Sequence, residues 1–235
     1  LKRFALLLIL SSFSISVFPE SIRYKVDGYE FYFLKDRNGS SVSQSQEIVG
    51  RFADQFISEL INESERLNLK RPFEAFVFIA ENSKVFSTAT GQPSFVAARF
   101  LSESNRFYFQ NPKTLEKRNI LTSTIRHEIC HFLSPHLENE NFRWLEESYC
   151  EALYPTNTIV PKRFLAFPKT WDEFKKTYSN QSSKKQVTSQ KYKLLAAWGA
   201  WILKEHGETQ FRNLLNRQSP ETKWKLLYSN FLKSE

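Results

Sequence analysis

Near Asn111 the hydrophobic pattern of this chain changes period, and that change limits what the chain can fold into. Between Tyr24 and Gln110 the apolar residues come in short runs rich in aromatic and β-branched side chains: YKV (24–26), YEFYFL (29–34), FEAFVFIA (73–80), SFVAARF (94–100) and RFYFQ (106–110). Runs of this kind predict strands, and the Asn38-Gly39 pair predicts a turn. One amphipathic segment interrupts them. Ile48, Phe52, Phe56, Leu60 and Ile61 recur at helical spacing and predict a helix over 45–67. After Asn111 the pattern predicts helices at 113–134, 143–154, 188–206 and 208–232, the last broken near Pro220. The stretch YPTNTIVPKRFLAFP (154–168) is punctuated by prolines and reads as a loop. SNQSSKKQVTSQ (179–190) is polar and expected to be exposed. No internal repeat is present. The expected class is α+β: a small N-terminal β-sheet with a packed helix, then a helical C-terminal part.

A chain of 235 residues that is 41% hydrophobic suits one domain with a real core. Its first residues read as a targeting segment. Lys2 and Arg3 precede the apolar FALLLIL (4–10), and Ser14 and Ser16 offer small side chains for cleavage. A secretory signal over 1–18 is expected, leaving 19–235 as one exported domain: periplasmic, cell-surface or secreted. The apolar run is shorter than the ~20 residues of a membrane span, so no stable span is expected after its removal. The formal charge of +8 is concentrated late, in DEFKKTYSNQSSKKQ and ETKWKLLYSNFLK. Without an arginine-rich or aromatic-interleaved motif, that excess reads as a solvated helical face, and no nucleic-acid partner is expected. Oligomeric state is not legible.

Of the four histidines, two lie in TIRHEICHFL (124–133). Residues four apart on an α-helix sit ~40° apart, one turn up. His127 and His131 therefore face one side and would hold a single metal ion, with Glu128 beside them as a base for a water at that metal. Taken alone, the pattern also describes a helix packed on two histidines with a surface carboxylate. Catalytic zinc usually takes a third protein ligand and keeps a fourth position open. The metzincin arrangement needs a histidine six residues after His131, following a glycine. Leu137 and Ser134 stand at those positions, and His136 is one residue out of place. Downstream carboxylates are Glu146, Glu147 and Glu151, and spacing alone leaves the ligand open among them. Glu147 and Glu151 share a helical face, with Glu146 turned away.

FRWLEESYCEAL (142–153) resembles the W-L-x-E-G-x-A-E segment of gluzincin metallopeptidases, in particular the small bacterial peptidase MA-like domains. Trp144 and Leu145 match the leading pair. The resemblance implies Glu147 as third zinc ligand and Glu151, one turn on, as the carboxylate supporting His127. Were Glu151 the ligand, the position one turn on would be Pro155, which has no side-chain acceptor. Ser148 departs from the family's usual glycine. QKYKLLAAWGAWILKEHG (190–207) is similar to a later family helix, with Tyr192 matching its tyrosine and Gly207 its terminal glycine. GQPSFVAARF (91–100) stands where the family has its cleft-bordering strand. The match covers roughly 70–215 and is strongest at the histidine motif.

The resemblance implies a thermolysin-like fold and one Zn2+ per chain held by His127, His131 and Glu147. Glu128 would be the general base and Tyr192 an oxyanion donor, acting on a protein or peptide substrate. Tyr192 also reads as a packed helix aromatic, and His206 before Gly207 as a cation at a helix C-terminus. The rival reading of the whole chain is a catalytically inactive domain of the same fold serving as a surface interaction module.

Cys130 and Cys150 each lie three residues beyond a proposed ligand. An exported chain with an even cysteine count permits a disulfide between them. Two small side chains at a close helix contact is the other reading, because Cα separation is not legible in sequence.

Overall fold

The computed structural model describes residues 21–36, 42–70, 74–134, 143–155, 160–179, 185–216 and 220–234. The expected signal segment, the Asn38-Gly39 turn and His136 lie outside them. The chain runs β1 (Ser21–Val26), β2 (Tyr29–Leu34), α1 (Val42–Arg66), β3 (Ala75–Ala80), α2 (Ser83–Thr90), β4 (Ala98–Leu101), β5 (Arg106–Phe109), α3 (Pro112–Lys117), α4 (Leu121–Leu133), α5 (Arg143–Leu153), α6 (Trp171–Ser179), α7 (Lys185–Asn216) and α8 (Glu221–Lys233). The fold is α+β. None of the described helices is long and apolar enough to cross a membrane.

The strands form one mixed sheet in the order β1-β2-β3-β5-β4. β1 pairs antiparallel with β2, β2 and β5 flank β3 in parallel, and β4 closes one edge antiparallel to β5. Alternation along each strand sends Phe31, Phe33, Val77, Ile79, Phe107 and Phe109 to one face, where all are fully buried. α1 covers that face with the side predicted from its periodicity. Phe56 meets Phe31 at 5.8 Å and Phe107 at 5.1 Å between ring centroids, both edge to face. α4 joins this core through Ile125, Ile129 and Phe132.

A second core is built by helices alone around Trp198, which is fully buried against Trp144, Trp171, Phe174, Trp224 and Tyr228. The two cores are joined by polar links. Glu59 on α1 accepts from Arg126 on α4 at 2.7 Å. Buried Glu63 accepts from Tyr154 and Arg66, and Arg66 reaches Glu208 on α7 at 2.6 Å.

The structure departs from the expected boundaries in physically readable ways. The single helix expected over 113–134 is two, because Asn119 takes a left-handed conformation (φ 55) that a helix does not accommodate. α2 was not expected, although it carries both of its stop signals. Asn82 accepts from the Val85 N–H at its start, and Gly91 ends it in the left-handed region. α6 falls between the expected loop and the expected polar stretch, in residues assigned to no helix but read as part of a solvated helical face, and it buries Trp171 and Phe174. The break expected between 206 and 208 is Gly207, whose φ of 77 interrupts α7.

Two devices fix α5. Gly199 on α7 lies so close that a Cβ there would stand 2.0 Å from the Ser148 carbonyl oxygen, so only glycine permits this crossing. On its other side Cys150 forms a disulfide with Cys130 of α4, with Cα atoms 5.6 Å apart. The bridge closes a loop spanning 20 residues of sequence, and loop-closure entropy for such a length is worth about 3 kcal/mol. The Cys130→Ser/Cys150→Ser protein is therefore expected to unfold at lower urea with unfolding free energy reduced by about that amount. An unchanged midpoint, or two reactive thiols in the denatured, unreduced parent chain, would show that the bridge does not stabilise the protein.

Candidate metal centre

α4 lies between the two cores, so its sequence must be apolar on two sides. Ile125 and Ile129 serve the sheet core, and Cys130 serves the helical core. The stripe between them carries His127, Glu128 and His131. His127 and Glu128 are buried, at 5% and 6% exposure, which is unusual for such groups unless they are paired or functional. α5 packs alongside and brings its three carboxylates to the same point.

His127 Nε2 lies 3.2 Å from His131 Nε2 and 3.2 Å from Glu147 Oε1. His131 Nε2 lies 3.2 Å from Glu147 Oε2. Among the described residues this is the one group of three or more potential ligands whose donor atoms converge, all within 4.8 Å. A tetrahedral zinc ion with bonds of ~2.0–2.1 Å sets ligand–ligand edges of ~3.4 Å. The donor set and its spacing fit that ion.

The outward nitrogens fit as well. His131 Nδ1 is 2.8 Å from Glu146 Oε1. His127 Nδ1 is buried and 3.4 Å from Glu151 Oε2, without an aligned hydrogen bond. A carboxylate behind each Nδ1 favours the tautomer whose Nε2 lone pair faces inward. Glu146 is the correction here. The sequence reading turned it away, but α5 is buried on nearly every side, and Glu146 is only 6% exposed. Adjacent helical residues point ~100° apart. With Glu147 at the centre, Glu146 flanks one imidazole and Glu151 the other.

The charges are those of a cage for a cation. Burial opposes a charge on the His127 ring, but the Glu147 carboxylate outweighs it and the pKa is raised. His131 is likewise pushed down by burial and up by Glu146 and Glu147, with the net shift well upward. Burial works to raise the Glu147 pKa, yet the two imidazoles hold it far below the ordinary carboxylate range. Glu128 is held above its ordinary value by burial, against the pull of both histidines and of a hydrogen bond from the Phe100 backbone N–H. That bond ties Glu128 to β4. Tyr192, on α7, is raised well above a normal phenol, first by the Glu147 charge and then by burial. It therefore stays protonated and able to donate.

These groups line a cleft of about 280 Å³ along β4, with Arg99, Phe100 and Leu101 on the strand side and Tyr192 opposite. A second arm of about 150 Å³ shares His127, Glu128, Glu147 and Tyr192, and runs toward Phe95, Ile120 and Thr124. His206 is far from this convergence by role. It is exposed in the last turn before Gly207, and its ring meets Trp201 at 5.6 Å.

Besides Glu146, the sequence reading missed Arg99, Thr124 and Gly199. Thr124 is buried, and its hydroxyl has no hydrogen-bond partner. It stands one turn before Glu128, which is a signal the spacing contained. Arg99 and Gly199 carried no local signal, because their roles depend on what packs against them. No protein-family model matches this chain, and no curated protein matches it.

Proposed function

We propose that the protein is an exported zinc metallopeptidase of the gluzincin type, with a thermolysin-like arrangement of strand, metal helix and ligand helix. The observation that carries this reading is the triangle of His127, His131 and Glu147 donors with 3.2 Å sides, beside a buried glutamate that is not part of it. His127, His131 and Glu147 would hold one Zn2+ per chain. When bound, zinc supplies a Lewis acid that lowers the pKa of a water and polarises a scissile carbonyl.

The chain's own residues then have separable tasks. Glu146 and Glu151 orient the imidazoles. Glu128 takes a proton on its carboxylate from the attacking water and returns it to the leaving amine, a role favoured by a pKa raised toward neutrality. The protonated Tyr192 hydroxyl donates to the carbonyl oxygen as negative charge develops on it. Among the described residues β4 is an edge strand, so an extended peptide could pair along it beside Phe100, whose own N–H donates to Glu128. The Cys130–Cys150 disulfide supports export to an oxidising compartment.

Purified protein supplied with zinc under mild conditions is expected to hold close to one zinc per chain and to cleave an unstructured protein such as casein. Zinc removal by chelation should stop cleavage, and its return should restore it. A stoichiometry well below one would overturn the reading. Full zinc with intact casein would point to the inactive interaction module.

A further inference from the structure

We propose that Arg99 selects substrates carrying a carboxylate near the scissile bond; this inference rests on the peptidase reading above. Arg99 lies on β4, the strand that walls the cleft. Among the described residues lining the larger arm, it is the sole lysine or arginine. Among the described residues it hydrogen-bonds from Nη1 to the carbonyl oxygen of Thr90, the last residue of α2, at 3.2 Å. That bond seats the cation at the negative end of a helix without neutralising it.

A guanidinium offers five donors in a planar fork, so most of the fork has no partner among the described residues. The lining carboxylates are engaged elsewhere. Glu146 and Glu147 face the imidazoles, and Glu128 accepts from Phe100. Arg99 and Tyr192 line the same cleft, and the Arg99 charge opposes the upward pull of the three glutamates on that phenol. A half-buried, anchored fork with free donors matches a carboxylate bidentately. The formal charge of +8, of which Lys2 and Arg3 of the expected signal segment supply only part, leaves a positive excess that would favour the approach of anionic substrates. The carboxylate has two sources, an acidic side chain or a free chain end.

The test uses zinc-loaded protein and one quenched fluorogenic octapeptide. The peptide carries Asp or Asn at each position in turn, with a free or an amidated C-terminus. The carboxylate form at one location is expected to exceed its amide counterpart ~10- to 100-fold in kcat/KM, mostly through KM. A preference confined to one Asp position identifies the side chain as source, and one confined to the free terminus identifies the chain end. Arg99→Gln should erase the preference, slowing the carboxylate peptides far more than the neutral, amidated ones, and Arg99→Lys should restore part of it. Calorimetric titration of the Glu128→Gln protein with the same acid and amide peptides should show the same preference without turnover. Peptides cleaved without regard to charge would overturn the role of Arg99 and leave the peptidase reading standing. So would an Arg99→Gln protein slowed equally on all peptides, as loss of an α2 anchor alone would do. No cleavage of any peptide would overturn both.

Discussion

Glu128→Gln is expected to bind zinc as tightly as the parent chain and to cleave peptides ~10²- to 10⁴-fold more slowly, the usual range for removal of a general base. The substitution isolates one property. Glutamine has nearly the shape of glutamate, and its amide oxygen still accepts the Phe100 N–H that bonds Glu128. The convergent donor set is His127, His131 and Glu147, so no proposed ligand is altered. What disappears is the carboxylate that would take the proton in the proposed mechanism. Burial works for the native residue by raising its pKa, which brings the carboxylate closer to the proton affinity that a base needs near neutral pH. Glutamine has no such titration. Zinc content by elemental analysis and cleavage of a fluorogenic peptide, measured on the same preparation, decide the matter. Activity near that of the parent in a zinc-loaded Glu128→Gln protein would remove Glu128 from the mechanism.

The second large effect concerns which glutamate holds the metal. Glu147→Ala is expected to lose most of its zinc, since Glu147 alone of the three places carboxylate oxygens 3.2 Å from both Nε2 atoms. Glu151→Ala and Glu146→Ala should each weaken zinc ~10- to 100-fold, because each removes a carboxylate behind one imidazole and leaves the donors in place. The sequence alone led to the opposite expectation for Glu146, that its loss would change little. Its 2.8 Å approach to His131 Nδ1 alters that. Zinc titration of the three variants separates these cases, with circular dichroism confirming that each is folded, since Glu146 and Glu151 are both buried. Tight zinc in Glu147→Ala with none in Glu151→Ala would exchange their roles, and unaltered zinc in Glu146→Ala would return that residue to the bystander position.

Much of the candidate site could be read before any coordinates, and the reason is local. His127, Glu128 and His131 sit on one helix, where 3.6 residues per turn dictate their relation without help from the rest of the chain. The same holds for Glu147 and Glu151 on the next helix. α1 was readable because Ile48, Phe52, Phe56 and Leu60 repeat at helical spacing over a long stretch. The strands were readable because aromatic and β-branched residues crowd into short runs. α2 and α6 were harder, being only two turns long, where a few residues hardly establish a period.

By itself, then, the sequence determined the α+β class, the order of sheet and helices, and which face of α4 carries the histidines. Only the tertiary structure decided what meets that face. It brought Glu147 to both imidazoles and set Glu146 behind His131. It bridged Cys130 to Cys150, and it laid Gly199 of α7 against the Ser148 carbonyl. It also turned Arg99 of an edge strand into the one fixed cation among the described residues of the larger arm. Periodicity records the direction of a side chain relative to its own helix or strand, whereas these contacts depend on how separate elements dock. Docking is settled by the packing of two aromatic cores, each assembled from elements distant from one another in sequence, and no local spacing encodes it.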